Sequence, residues 1–226
     1  MTHLVSVNLA VPRANPAKDV GITGIDKRPT TEPVRVTAPA AQGLGGLAGD
    51  QIFDVAHHGG PDQAVYAFAR EDLDEWAGVL GRPLPGGAFG ENITTSGIDV
   101  TGALIGERWR IGDTVVLEVS APRFPCNTFA HWMAEQGWIK RFTKRAAPGA
   151  YLRVVQPGEI RAGDPVVVTD RPDHDVTIGA TFRAITLEPE LLPRLLAVEA
   201  LPADLRAVAA RRTGAGNGPP PSATAT

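Results

Sequence analysis

Hydrophobic positions come in short bursts with a period of two, and long apolar stretches are missing. Leu4-Val5-Ser6-Val7-Asn8-Leu9 alternates and is rich in β-prone residues, which predicts a first strand, followed by a proline-interrupted loop through Pro16. Val34-Arg35-Val36 predicts a short strand, and the apolar run from Ala64 through Phe68 another. Two later segments, 108–119 and 159–168, echo each other. Each is a β-prone run, a Gly-Asp turn and a second β-prone run, as paired strands of a small closed sheet would show, with the valine-rich halves as core. Gly149 to Val155 returns to strand.

Helical periodicity is confined to three places. Leu73, Trp76, Ala77 and Leu80 recur at i, i+3, i+4 and i+7 with Gly81 as a stop, predicting a structural helix over 70–80 packed on the sheet. Phe129, Trp132 and Met133 share a face after Cys126, until Gly137 interrupts. Beyond a linker at Arg171-Pro172-Asp173-His174-Asp175, three short amphipathic helices follow, separated by Pro189 and Pro202. They carry Ile178, Phe182 and Ile185, then Leu191, Leu192, Leu195 and Leu196, then Leu205, Val208 and Ala209. The pattern predicts a mainly β (α+β) domain over 1–170, a small three-helix bundle over 171–212 and a disordered tail over 213–226, where Gly, Pro, Ser, Ala and Thr dominate. An apolar face as large as that of the leucines needs cover, either from the β-domain or from a second copy of the chain, and a homodimer is the second option.

Composition narrows the function classes. The net charge of -3 argues against a nucleic-acid binder, which would carry a basic excess. The single cysteine excludes an internal disulfide. No apolar run approaches the roughly 20 residues that span a bilayer, and Met1-Thr2-His3-Leu4-Val5 has no secretory character, so a cytoplasmic protein without membrane contact is expected.

That cysteine, Cys126, ends Ser120-Ala121-Pro122-Arg123-Phe124-Pro125-Cys126, where two prolines stiffen the approach. Arg123 is placed to favour a thiolate, the form that attacks or binds metal; a small buried hydrophobe is the alternative reading. His57-His58-Gly59-Gly60 sets two imidazoles beside two glycines whose amides can approach a ligand closely, or else forms a loop held by histidine hydrogen bonds. Gly21 to Pro29 reads as a glycine-punctuated turn bearing the cations Lys27 and Arg28. Phe89-Gly90-Glu91-Asn92 offers an amide for a turn or a ligand. Lys140, Arg141, Lys144 and Arg145 put four cations within six residues, an anion-site candidate or a solvated helix face. Gln42 to Asp50 reads as a flexible stretch, too short for a phosphate fingerprint.

Taken in order, His57-His58-Gly59-Gly60 with Asp62 and Ala64-Val65, then Phe89-Gly90-Glu91-Asn92, then Pro122-Arg123-Phe124-Pro125-Cys126 resemble the MOSC domain over about residues 20–168. Thr23-Gly24-Ile25-Asp26-Lys27 and the trailing helices resemble the stand-alone bacterial members of the YiiM type. The resemblance implies a MOSC-type β-barrel with peripheral helices that binds the molybdenum cofactor (molybdopterin) through Cys126 as metal ligand and catalytic residue. It implies a reductase of small N-hydroxylated compounds, such as hydroxylaminopurines or amidoximes, supplied with electrons by a separate reductase. By position, His57, His58, Gly59, Gly60 and Asn92 are candidates for holding the pterin, and Lys27, Arg123, Lys140, Arg141 and Lys144 for the cofactor phosphate. Alternatives are a non-catalytic cofactor-binding or sulfur-carrier module, and a zinc site from His57, His58, Cys126 and His131. A Cys-His hydrolase lacks any residue marked as the orienting third member.

Overall fold

The computed structural model describes residues 2–215, so most of the tail predicted over 213–226 lies outside the described residues. The chain opens with a long hairpin, β1 (His3–Asn15) and β2 (Gly21–Thr30), in antiparallel register with Val7 opposite Thr30 and Asn15 opposite Gly21. Two expectations are corrected here: the loop through Pro16 is mostly strand, and Lys27 sits in β2, not in a turn. The physical reason is an irregularity between Val11 and Arg13, where the register steps past Pro12 and its missing N–H.

The remaining elements are β3 (Val34–Val36), β4 (Val65–Ala69), α1 (Arg70–Leu80), β5 (Ile93–Ser96), β6 (Arg108–Ile111), β7 (Val115–Pro122), α2 (Asn127–Met133), α3 (Trp138–Arg145), β8 (Ala150–Gln156), β9 (Gly158–Ile160), β10 (Val166–Asp170), α4 (Ile178–Thr186), α5 (Leu192–Leu195) and α6 (Ala203–Thr213). Eight strands form one sheet in the order β10-β6-β7-β8-β4-β5-β1-β2, and β3 pairs with β9 separately. Every pairing is antiparallel except β4 with β5, which α1 connects as a crossover. The fold is α+β with a large, mostly antiparallel sheet. The ladder does not close on itself as the expected barrel would, although Leu4 N donates to Asp164 O and Gly163 N to Leu4 O across its far side.

The first of the echoing segments is a hairpin, β6 and β7, as predicted. The second is not: β9 joins β3, and β10 joins β6. Pro165 cannot donate, and the turn before it spends its groups on residues 2–4, so the two halves part. Because β10 is an edge strand, Val167 and Val168 are exposed rather than core.

Strand β4 has every residue buried, and its period of two divides the interior. Val65, Ala67 and Ala69 face an aliphatic cluster, while Tyr66 and Phe68 face an aromatic one. Phe89 anchors the aromatic cluster, with ring centroids 5.0 Å from Phe68, 5.2 Å from Phe129 and 5.5 Å from Trp138. Helix α1 docks Leu73 and Trp76 onto this side, as the periodicity predicts. The leucine-rich C-terminal helices need no second copy to bury Leu192 and Leu195. Both belong to the same cluster as Val119 and Ile105 of the β-rich part. Phe182 of α4 stacks on Phe124 with centroids 5.4 Å apart, and Arg153 of β8 donates to Ala200 O, which precedes α6.

Candidate functional site

From Pro122 the chain runs through Arg123-Phe124-Pro125 to Cys126, which caps α2 in extended conformation and is half-buried in the wall of a cleft. Burial alone would push the thiol up; hydrogen bonding from His58, the charge of Arg123 and the Phe129 amide outweigh it and bring the Cys126 pKa down to about 6. The thiol is therefore largely thiolate at neutral pH. Arg123 is itself buried, with Nη1 donating to Phe89 O (3.1 Å) and the guanidinium carbon 4.1 Å from the Phe129 ring centroid and 5.2 Å from that of Tyr66. Burial opposes its charge, yet Tyr66, Tyr151 and Cys126 hold it cationic. Burial keeps both of those tyrosines protonated. No carboxylate is among the groups that hold Arg123 cationic, whereas the Cys126 thiolate is.

The opposite wall is built around Asp50. Its carboxylate accepts from Lys27 Nζ through both oxygens, from Ala10 N (3.0 Å) and from Asn92 Nδ2 (2.8 Å). Burial lowers the Lys27 pKa, and the Asp50 charge pulls against that. Asn92 uses its Oδ1 to accept from Tyr66 N (3.1 Å), which locks its amide orientation. The loop before Asn92 is fixed by Glu91, fully buried, which accepts from Gly87 N, Phe89 N and Thr94 Oγ1; burial pushes its carboxyl up. Gln63 also lines the cleft, and its Oε1 is buried without a hydrogen-bond partner.

Cys126, His58, Gly59, Asn92, Arg123 and Lys27 thus all line one cleft. His57 does not: it points outward and pairs with Asp54 Oδ1 at 2.7 Å. Gly60 is buried behind the loop, where its N–H donates to Leu44 O. Lys140, Arg141 and Lys144 are also absent from the cleft, because α3 turns Trp138 and Phe142 into the aromatic cluster and leaves its cations on the other face. Arg141 pairs with Glu135 (3.2 Å) and Arg145 with Glu75. Asp50, Gln63, Tyr66 and Tyr151 were not singled out as site residues from sequence. Asp50 sits in the stretch read as flexible, and the only signal for it was an acid placed between Gly49 and an apolar run. The zinc alternative is not assembled: among the described residues no three His, Cys, Asp or Glu side chains gather as metal ligands.

Residues 54–167, which include His58, Asn92, Arg123 and Cys126, match the MOSC domain family. The chain belongs to that family. This MOSC chain is 31% identical over 176 residues to the uncharacterised protein YflK of Bacillus subtilis, covering 77% of its own length and 76% of YflK. It is 32% identical over 134 residues to a protein of Gibberella moniliformis named reductase, covering 56% of itself and spanning only 23% of that relative. The crystal structure of YiiM from Geobacillus stearothermophilus superposes with a TM-score of 0.76 at 27% identity, covering 94% of the MOSC chain and 99% of YiiM. No helix among the described residues is long and apolar enough to cross a membrane.

Proposed function

We propose that this MOSC protein binds the molybdenum cofactor through Cys126 and reduces small N-hydroxylated compounds, taking electrons from a separate protein. The observation that carries this reading is a thiol with a pKa of about 6 in a cleft wall, with Arg123 as the cation beside it. Thiolate is the soft donor that a molybdenum already bearing sulfur ligands accepts. The rest of the cleft is chemically suited to the group. The unpartnered Gln63 Oε1 is an acceptor for a ring N–H, and Gly59, at φ 81°, lets the loop after His58 pack against Leu44 and Ile52, where a Cβ would come within 2.8 Å of both. Lys27 is neutralised by Asp50, which leaves Arg123 as the cleft cation with charge to offer an anionic portion of the ligand.

When bound, the cofactor supplies two-electron oxygen-atom chemistry. The protein's own residues do the rest. Cys126 presents its sulfur already deprotonated, so ligation needs no base. His58 and Arg123 hold that charge in place, and Tyr66 and Tyr151, kept protonated, wall the guanidinium away from solvent. The name of the Gibberella relative supports a reductive direction. In the balanced step the substrate N–O bond breaks, two electrons and two protons enter, and the products are the N–H compound and water.

The test is molybdenum analysis of protein from a cofactor-competent host, alongside hydroxylaminopurine reduction with a chemical reductant. Wild type should hold close to one molybdenum per chain and Cys126→Ser should lose it; equal metal in both would overturn the assignment. The same low-pKa thiol also supports a sulfur-carrier reading, in which Cys126 holds a persulfide. A persulfide mass on Cys126 with no reduction of hydroxylaminopurine would favour that reading instead.

A further inference from the structure

Two carboxylates, Asp26 in β2 and Glu135 between α2 and α3, are each flanked by two arginines. Asp26 accepts from Arg13 Nε at 2.7 Å and pairs with Arg28 Nη2 at 3.1 Å; Glu135 pairs with Arg141 at 3.2 Å and Arg82 at 3.9 Å. Each trio keeps one positive charge uncompensated within it, in a chain whose net charge is negative. The guanidinium ends reach solvent, with side-chain exposures of 45% for Arg13, 58% for Arg28 and 44% for Arg82. Between the trios sits Trp132, half-buried, its Nε1 donating to Ala88 O (2.8 Å), and it borders two surface depressions. One depression is also lined by Arg13, the other by Arg28 and Arg82.

This face is joined to the cofactor cleft by shared walls. Thr23, Ile25 and Thr128 line both the cleft and the first depression, and Lys27 lines both the cleft and the second. A protein seated on Trp132 and the arginines would thus be one side chain away from whatever occupies the cleft. Exposed arginines around a partly buried tryptophan are the composition of a binding hot spot, and the charge excess selects an acidic partner. The match spans only 23% of the Gibberella reductase.

We propose that the surface formed by Arg13, Arg28, Arg82 and Trp132 is the docking site for the acidic face of a reduced electron-carrier protein. The inference rests on the reductase reading, since two such one-electron carriers docking in succession supply the two electrons of that balanced step, each leaving oxidised. Its test is binding, which needs neither cofactor nor turnover. An acidic plant-type [2Fe–2S] ferredoxin is the probe, titrated calorimetrically into wild type, into Arg28→Gln/Arg82→Gln, and into Arg161→Gln as a charge control at the far end of β1.

Wild type and the control should bind at low ionic strength and weaken with salt, and the double variant should bind at least about fivefold more weakly with a flatter salt dependence. Absence of binding by wild type, or equal binding by all three proteins, would overturn the docking surface. Loss of the molybdenum result with Arg-dependent binding intact would instead count against the reductase reading alone. In loaded enzyme, turnover driven by a small viologen reductant should be unchanged in the double variant, while the KM for ferredoxin rises.

Discussion

The buried charges of the cleft and the exposed charges of α3 make an instructive pair. The cleft holds Lys27, Asp50 and Arg123, drawn from three segments separated by tens of residues, each shielded from water and each answered by a specific neighbour. Helix α3 holds four cations within six residues, turned toward solvent by the burial of Trp138 and Phe142. Local density of charge in sequence reports the solvated face of a short amphipathic helix. The cleft charges have been taken out of water at a cost, and they stand where folding supplies a counter-charge, ring faces or a carbonyl to offset it.

The contrast is sharpest for Asp50→Asn. Lys27 then stays buried beside a neutral amide, and stability at neutral pH should fall by about 3–5 kcal/mol in urea denaturation. Adding Lys27→Met should recover much of that loss; a drop below about 1 kcal/mol in the single variant would mean the pair is solvated after all.

The next largest effect is expected at Arg123. In cofactor-free protein, Arg123→Met should raise the Cys126 pKa from about 6 by about one unit or more, read as the pH midpoint of iodoacetamide alkylation. His58→Ala should move the midpoint in the same direction, whereas His57→Ala should leave it where it is. Equal shifts for the two histidines would break the distinction between them. The sign of the linked stability follows from the lowered pKa. With an ordinary thiol near 8.5, ionisation of Cys126 stabilises the fold fully above that pH, and the contribution is lost as pH falls through 6.

The smallest effect belongs to α3. Lys140→Gln/Lys144→Gln should change stability by no more than about 0.5 kcal/mol and leave molybdenum content untouched. A loss of metal there would erase the contrast.

How far the sequence could be read depended on whether the signal was local. The α1 periodicity, the β6–β7 hairpin and the stiff approach to Cys126 are carried by neighbouring residues, and each was legible. The separation of His57 from His58 was not, because it turns on which imidazole Asp54 captures after the loop has folded. Lys27 was misplaced in a turn because Gly21 and Gly24 suggested one, and the loop through Pro16 was expected because prolines suggested a break, when the ladder instead shifts its register around Pro12. Asp50 was passed over because glycines around it suggested slack, while its three hydrogen-bond donors come from β1, β2 and the segment before β5. Lys140, Arg141 and Lys144 attracted attention by crowding alone.

The C-terminal helices bear on the thiol more directly than their distance along the chain implies. Phe182 rests on Phe124, two residues before Cys126, and Arg153 fastens Ala200 to Asp62, the neighbour of Gln63. The appendage is therefore a brace behind the cleft, and removing it should slacken the Cys126 loop before the β-sheet itself gives way.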